Sequence, residues 1–112
     1  MSKDKIISKE ESLKMRALQI LNLRYPIRQD IENLYHRRAN IYHPDKPEGS
    51  TNKMQLLNLA HDILLDKNPD LEKYKMLENT KLVRSLLPAG IKPTPLGKTY
   101  IEIWKERYAE II

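Results

Sequence analysis

Cysteine is absent from the chain. That excludes disulfide staples and thiolate metal sites, and it leaves the redox compartment open. Phenylalanine is absent too, and aromatic residues make up only 6% of the sequence, so the core has to be built mainly from Leu, Ile and Met. Glycine occurs three times, at positions 49, 90 and 97. That is too sparse for a phosphate-cradling loop, so nucleotide binding of that kind is not expected. No apolar run approaches the roughly 20 residues of a membrane-spanning helix. The opening MSKDKIISKEES lacks the apolar core of a signal peptide, and cytoplasmic residence is the expectation. No serine stands in a G-x-S-x-G frame and no cysteine is available as a nucleophile. An enzyme with its own chemistry is therefore not expected, and neither is a cofactor.

Charge, by contrast, is plentiful. The chain carries 20 Lys+Arg against 15 Asp+Glu, a net +5, and its pI is near 9.4. The excess favours acidic partners of several kinds without choosing among them. A basic nucleic-acid-binding helical module is one such reading. The acids interspersed along the chain, with no run of five like charges, weigh against it. A length of 112 residues fits one compact domain with room for an extension.

The pattern predicts an all-α chain. Ser8-Lys9-Glu10-Glu11 has the S-x-x-E form of a capping box. Leu13, Ala17, Ile20 and Leu21 then recur at helical spacing, which predicts helix I over about Lys9 to Leu21. Pro26 keeps Tyr25 out of helical geometry. Helix II is predicted over about Ile27 to Tyr42, with Ile27, Ile31, Leu34, Tyr35 and Tyr42 on its apolar stripe. Arg28, Glu32, His36, Arg37 and Asn40 lie opposite. Arg38 falls near the edge of the stripe, where a long side chain can snorkel. Residues 43–51, HPDKPEGST, read as a loop. Helix III is predicted over about Asn52 to Asp66 and is apolar over so much of its surface that it should be the central helix. His61 on that helix reads as a packed side chain rather than a ligand.

Asn68-Pro69-Asp70 has the form of another helix start. It predicts helix IV with Leu71, Tyr74 and Leu77, continuing through Leu82, Val83 and Leu86. Residues 88–97, PAGIKPTPLG, read as an extended linker. A last helix is predicted over about Gly97 to Ile111, with Tyr100, Trp104 and Tyr108 on one face. Those aromatics are either core against the bundle or a second partner face for a client or targeting protein.

The segment with most to explain is Ile41-Tyr42-His43-Pro44-Asp45-Lys46. As metal ligands, His43 and Asp45 are too few, since a site needs three or four donors, so no metal is expected. As a catalytic pair they lack a nucleophile. An isolated H-P-D is most simply a helix stop, with Pro44 ending the helix and Asp45 and Lys46 in water. Here it is not isolated. Leu18-Gln-Ile-Leu-Asn-Leu23 precedes it, and Ile31, Tyr35, Ala39 and Tyr42 follow an I-x-x-x-Y-x-x-x-A-x-x-Y pattern that runs straight into it. Downstream stand Met54, Leu57, Ala60, Ile63, Leu64, Asp66 and Tyr74.

This order and spacing, over about Leu13 to Tyr74, resemble the J-domain (DnaJ-like) co-chaperone family. The resemblance implies an antiparallel hairpin of helices II and III with H-P-D at its tip, short flanking helices and an extra C-terminal helix. The J domain would span residues 1–78, and an extension residues 79–112. It also implies a partner: the ATPase domain and linker of a 70-kilodalton heat-shock chaperone, whose ATP hydrolysis such proteins accelerate. By position, Asp45 would pair with a cationic side chain of the chaperone, His43 would make polar contacts there, and Pro44 would fix the turn that aims both. His36, Arg37 and Lys46 match the family's basic patch, and Arg28 joins the same chaperone-binding set. Asn22 stands where the family often has Gly, and Glu32 and Asn33 stand where helix II is often basic. A J-like scaffold that recruits no chaperone is the alternative reading.

Overall fold

The computed structural model describes residues 8–47 and 49–97. They form four α-helices: α1 (Lys9–Leu21), α2 (Arg28–Tyr42), α3 (Thr51–Leu65) and α4 (Thr80–Ser85), with a 3₁₀ turn over Lys75–Glu78 before α4. Among the described residues there is no strand, and the fold is all-α.

Local chemistry sets the helix ends. The Ser8 hydroxyl accepts the Glu11 N–H at 3.1 Å and opens α1, with Glu10 and Glu11 in the first turn where the helix dipole favours acids. The helix closes at Asn22, whose φ of 58° is left-handed. Asn22 N–H reaches Gln19 O and Leu23 N–H reaches Leu18 O, the paired bonds of a Schellman end. Asn tolerates this backbone better than other side-chain-bearing residues. Ser50 caps α3 by accepting the Lys53 N–H at 3.1 Å. Beyond Pro26, α2 starts from an extended Ile27 with no side-chain cap.

Helices α2 and α3 form an antiparallel hairpin. Tyr42 lies against Lys53, Tyr35 bonds Asn58 and Glu32 bonds His61, so the numbering falls along α2 as it rises along α3. Helix α3 packs on α1 as well as α2. Leu56, Leu57, Ala60 and Ile63 of α3 are fully buried with Leu13, Ala17, Ile20 and Leu21 of α1 and Ile31 of α2. Burying each Leu or Ile side chain among them is worth about 1.5–3 kcal/mol, and this is what holds the hairpin to α1.

The predicted helix IV is not one helix. The chain makes turns over 71–74, then the 3₁₀ turn, then α4. Three short polar side chains divert the backbone: Asp66 accepts Asn68 N–H, Asp70 accepts Glu72 N–H, and Asn79 accepts Leu82 N–H. Such local bonds compete with the helical ladder. Asn79 is extended (φ −74°, ψ 92°) and starts α4 afresh. The apolar residues still reach the core: Tyr74, Leu77, Val83 and Leu86 are all buried. The Tyr74 hydroxyl donates to Asp66 at 2.9 Å. Burial, then the Asp66 bond and charge, push its pKa up to about 12.

Residues 88–97 do not leave the body. They return along α1, with Pro93 and Thr94 buried. Ser12 accepts Gly97 N–H at 2.9 Å, Gln19 Oε1 accepts Thr94 N–H at 2.8 Å, and the Gln19 amide donates to Lys92 O. Between them Arg16, only 2% exposed, donates to Thr94 O at 2.7 Å, Leu77 O at 2.9 Å and Thr80 Oγ1 at 3.0 Å. The part of the extension from 79 to 97 is thus strapped to α1. The predicted last helix, with Tyr100, Trp104 and Tyr108, lies outside the described residues. Among the described residues no helix is long and apolar enough to cross a membrane.

Candidate functional site

The H-P-D turn is built by the end of α2. His43 N–H makes the last helical bond, to Ala39 O at 3.0 Å. His43 itself is extended, with ψ at 140°, as the ring of a following proline requires. Lys46 N–H then bonds His43 O at 2.9 Å. This closes a β-turn with Pro44 at its second position, where the fixed proline φ fits. A second turn follows, Gly49 N–H to Lys46 O, and Ser50 N–H returns to Tyr42 O at 3.2 Å. The return is so tight that a Cβ on Gly49 would overlap the carbonyl oxygen of His43. Only glycine fits there, for close approach.

The turn presents polar groups outward. The His43 side chain is 55% exposed and that of Asp45 is 85% exposed. His43 Nδ1 lies 3.3 Å from both the Asp45 N–H and Asp45 Oδ2. Unprotonated, this nitrogen accepts from the backbone N–H; protonated, it donates to the carboxylate. In both forms His43 and Asp45 are held side by side, and Asp45 keeps most of its carboxylate in water.

Pro44, Asp45 and Lys46 join His43 on this one exposed turn. His36 and Arg37 are neighbours on the exposed side of α2, about two helical turns and 10 Å before His43. Arg28 is exposed as well. It starts the helix about 22 Å from His43, on the flank opposite Arg37, so it does not share a cluster with the turn. Arg38 is half-buried, and its Nε is buried without a hydrogen-bond partner.

The hairpin behind the turn is held by polar contacts as well as by its core. The Tyr35 hydroxyl donates to Asn58 at 2.6 Å, and its ring packs on His36 edge-on and on His61 at 4.5 Å between centroids. His61 is half-buried between Glu32 of α2 and Asp62. Burial pulls its pKa down, but hydrogen bonds to Asp62 and Glu32 and their charges outweigh burial and raise it. Arg16 under the strap is drawn below the ordinary arginine pKa by burial, against the opposing charge of Glu78. It stays cationic, since guanidinium is not deprotonated in proteins.

Arg16, Gly49 and the double bonding of His61 were not singled out from sequence. Arg16 had a signal: a charge set between Leu13 and Ala17 on the apolar side of α1. Gly49 and the His61 bonds depend on chain return and had none. Among the described residues no group of three or more His, Cys, Asp or Glu is placed to hold a metal ion. An open groove of about 430 Å³ runs beside α3, lined by Gln55, Asn58, Leu59 and residues of the 72–76 turn, and shares no residue with the H-P-D turn. No family model matches the chain, and neither a curated protein nor a solved structure matches it. The resemblance to the J-domain family rests on the sequence of this chain alone.

Proposed function

We propose that this protein is a J-domain co-chaperone. It binds a 70-kilodalton heat-shock chaperone through the H-P-D turn and α2, stimulates ATP hydrolysis by that partner, and so recruits it to a client or site. The observation that carries the reading is the exposed, proline-fixed turn at the tip of the α2–α3 hairpin, with Asp45 almost wholly in water. A stiff turn loses little ordering entropy on docking. Its carboxylate, 85% exposed beside His43, can meet a cation, and truncating one such charge at an interface centre costs about 2–5 kcal/mol. Pro44 fixes the turn, Lys46, His36 and Arg37 add positive charge toward an acidic face, and Arg28 contributes at longer range. The protein does no chemistry of its own and needs no cofactor. It favours one state of its partner and shifts populations, in the cytoplasm.

Single-turnover ATP hydrolysis by the chaperone tests this with the wild type, His43→Gln and Asp45→Asn. The wild type should stimulate, and both variants should lose stimulation with unchanged helical content. A folded wild type that stimulates nothing would leave a J-like scaffold.

A further inference from the structure

Both ring nitrogens of His61 face carboxylates. Nε2 lies 2.7 Å from Glu32 Oε1 on α2, and Nδ1 lies 3.0 Å from Asp62 Oδ1 on α3. A neutral imidazole has one N–H and one lone pair. It can satisfy one of these contacts and must turn its lone pair on the other carboxylate. Only the imidazolium donates to both. Asp62 is the next residue, so its bond adds nothing between elements, whereas the Glu32 bond spans 29 positions and joins two helices. The ring side chain is 20% exposed, and that of Glu32 is 40% exposed, so protons reach both.

From α2 the ring meets Glu32 and the tilted ring of Tyr35, with Arg28 and His36 one turn before and after Glu32. From α3 it meets Asp62. The charges that act on the ring are those of Glu32 and Asp62.

We propose that His61 is a pH-operated clasp between α2 and α3. Protonated, it holds Glu32 and cancels its charge beside Arg28 and His36. Deprotonated, it loses its charge and can donate to only one of the two carboxylates, so its hold on Glu32 weakens, the hairpin loosens and the outer side of α2 is left one charge less positive. The consequence for docking rests on the co-chaperone reading: an acidic partner face is met less well as pH rises. The mechanical half does not rest on it.

The sign follows from linkage. His61 has a raised folded pKa, so its contribution is complete below the unfolded value of about 6.5 and is lost as pH rises through the folded value. The experiment uses the full chain. The three histidine rings are titrated by NMR, and Tm is measured at about pH 6 and about pH 8 for the wild type, His61→Gln and Glu32→Gln. His61 should titrate above about 6.5. The wild-type Tm should fall between the two pH values, and both variants should lose most of that fall. If His61→Gln fails to fold, Glu32→Gln still decides. A His61 that titrates at or below the ordinary value, or a fall in Tm that survives both substitutions, would overturn the clasp. Chaperone stimulation at the same two pH values, with Glu32→Gln as reference, tests the docking half. Wild-type stimulation should fall more with pH than that of the variant, and equal falls would overturn this half. Absence of stimulation at both pH values would overturn the co-chaperone reading and, with it, the docking half, while the titration still decides the clasp.

Discussion

Residues 43–47, HPDKP, and residues 93–97, PTPLG, are both short proline-containing loops, yet they end in opposite environments. Every residue of the first is exposed. In the second, Pro93 and Thr94 are buried, and Thr94 is 1% exposed. Prolines stiffen both, so stiffness does not decide. The facing surface does. Ser12, Arg16 and Gln19 recur at i, i+4 and i+7, one polar stripe of α1, and each bonds the backbone of the strap. Among the described residues no such stripe bonds the first loop. It is closed by its own backbone bonds and keeps its side chains for the outside. The same loop chemistry thus serves once as a fastening and once as a display.

Arg16→Met strikes the fastening hardest. It leaves the carbonyl oxygens of Thr94 and Leu77 without their donor, at about 1–3 kcal/mol for each buried acceptor. Urea unfolding should show a loss of that order, with early hydrogen exchange along 92–97, while the H-P-D turn keeps its chemical shifts. Gly49→Ala strikes the display. Its Cβ overlaps His43 O, so the turn must open at about 1–3 kcal/mol. Stimulation should fall with helical content retained, and strap protection should be unchanged. Thr94→Val is milder, removing one hydroxyl bond to Gln19 for about 0.5–1.5 kcal/mol, again visible only in stability. If Arg16→Met silenced stimulation in a folded protein, or Gly49→Ala released the strap, the two loops would not be the independent devices described.

Much of this was legible because it is local. Ser8 and the start of α1, the end of α1 at Leu21 and the end of α2 before Pro44 follow from side chains within four residues of the backbone they cap. Helix α3 runs Thr51–Leu65, one residue earlier at each end than predicted, and its start is set by the Ser50 cap. Helix IV was misread because Leu71, Tyr74, Leu77, Val83 and Leu86 keep a helical rhythm that an interrupted chain can also bury. The local bonds of Asp66, Asp70 and Asn79, not the apolar spacing, decide where the helical rhythm is interrupted. The strap was read as a linker because its partners on α1 lie far off in sequence, Arg16 and Thr94 being 78 residues apart. Of the site, the exposure of the turn followed from its proline and polar residues, and the place of His36 and Arg37 from helical spacing. The distance of Arg28 from the turn could have been read from the same spacing.

On the co-chaperone reading the Asp45 carboxylate, 85% exposed, is displayed for a partner and contributes little to the fold. Single-turnover ATP hydrolysis by a 70-kilodalton heat-shock chaperone, with the wild type and Asp45→Asn side by side, tests it most directly. The account predicts stimulation by the wild type, its loss in Asp45→Asn, and a stability change within about 0.5 kcal/mol, as for other surface substitutions. Equal stimulation by the two proteins, or none by a folded wild type, would contradict it.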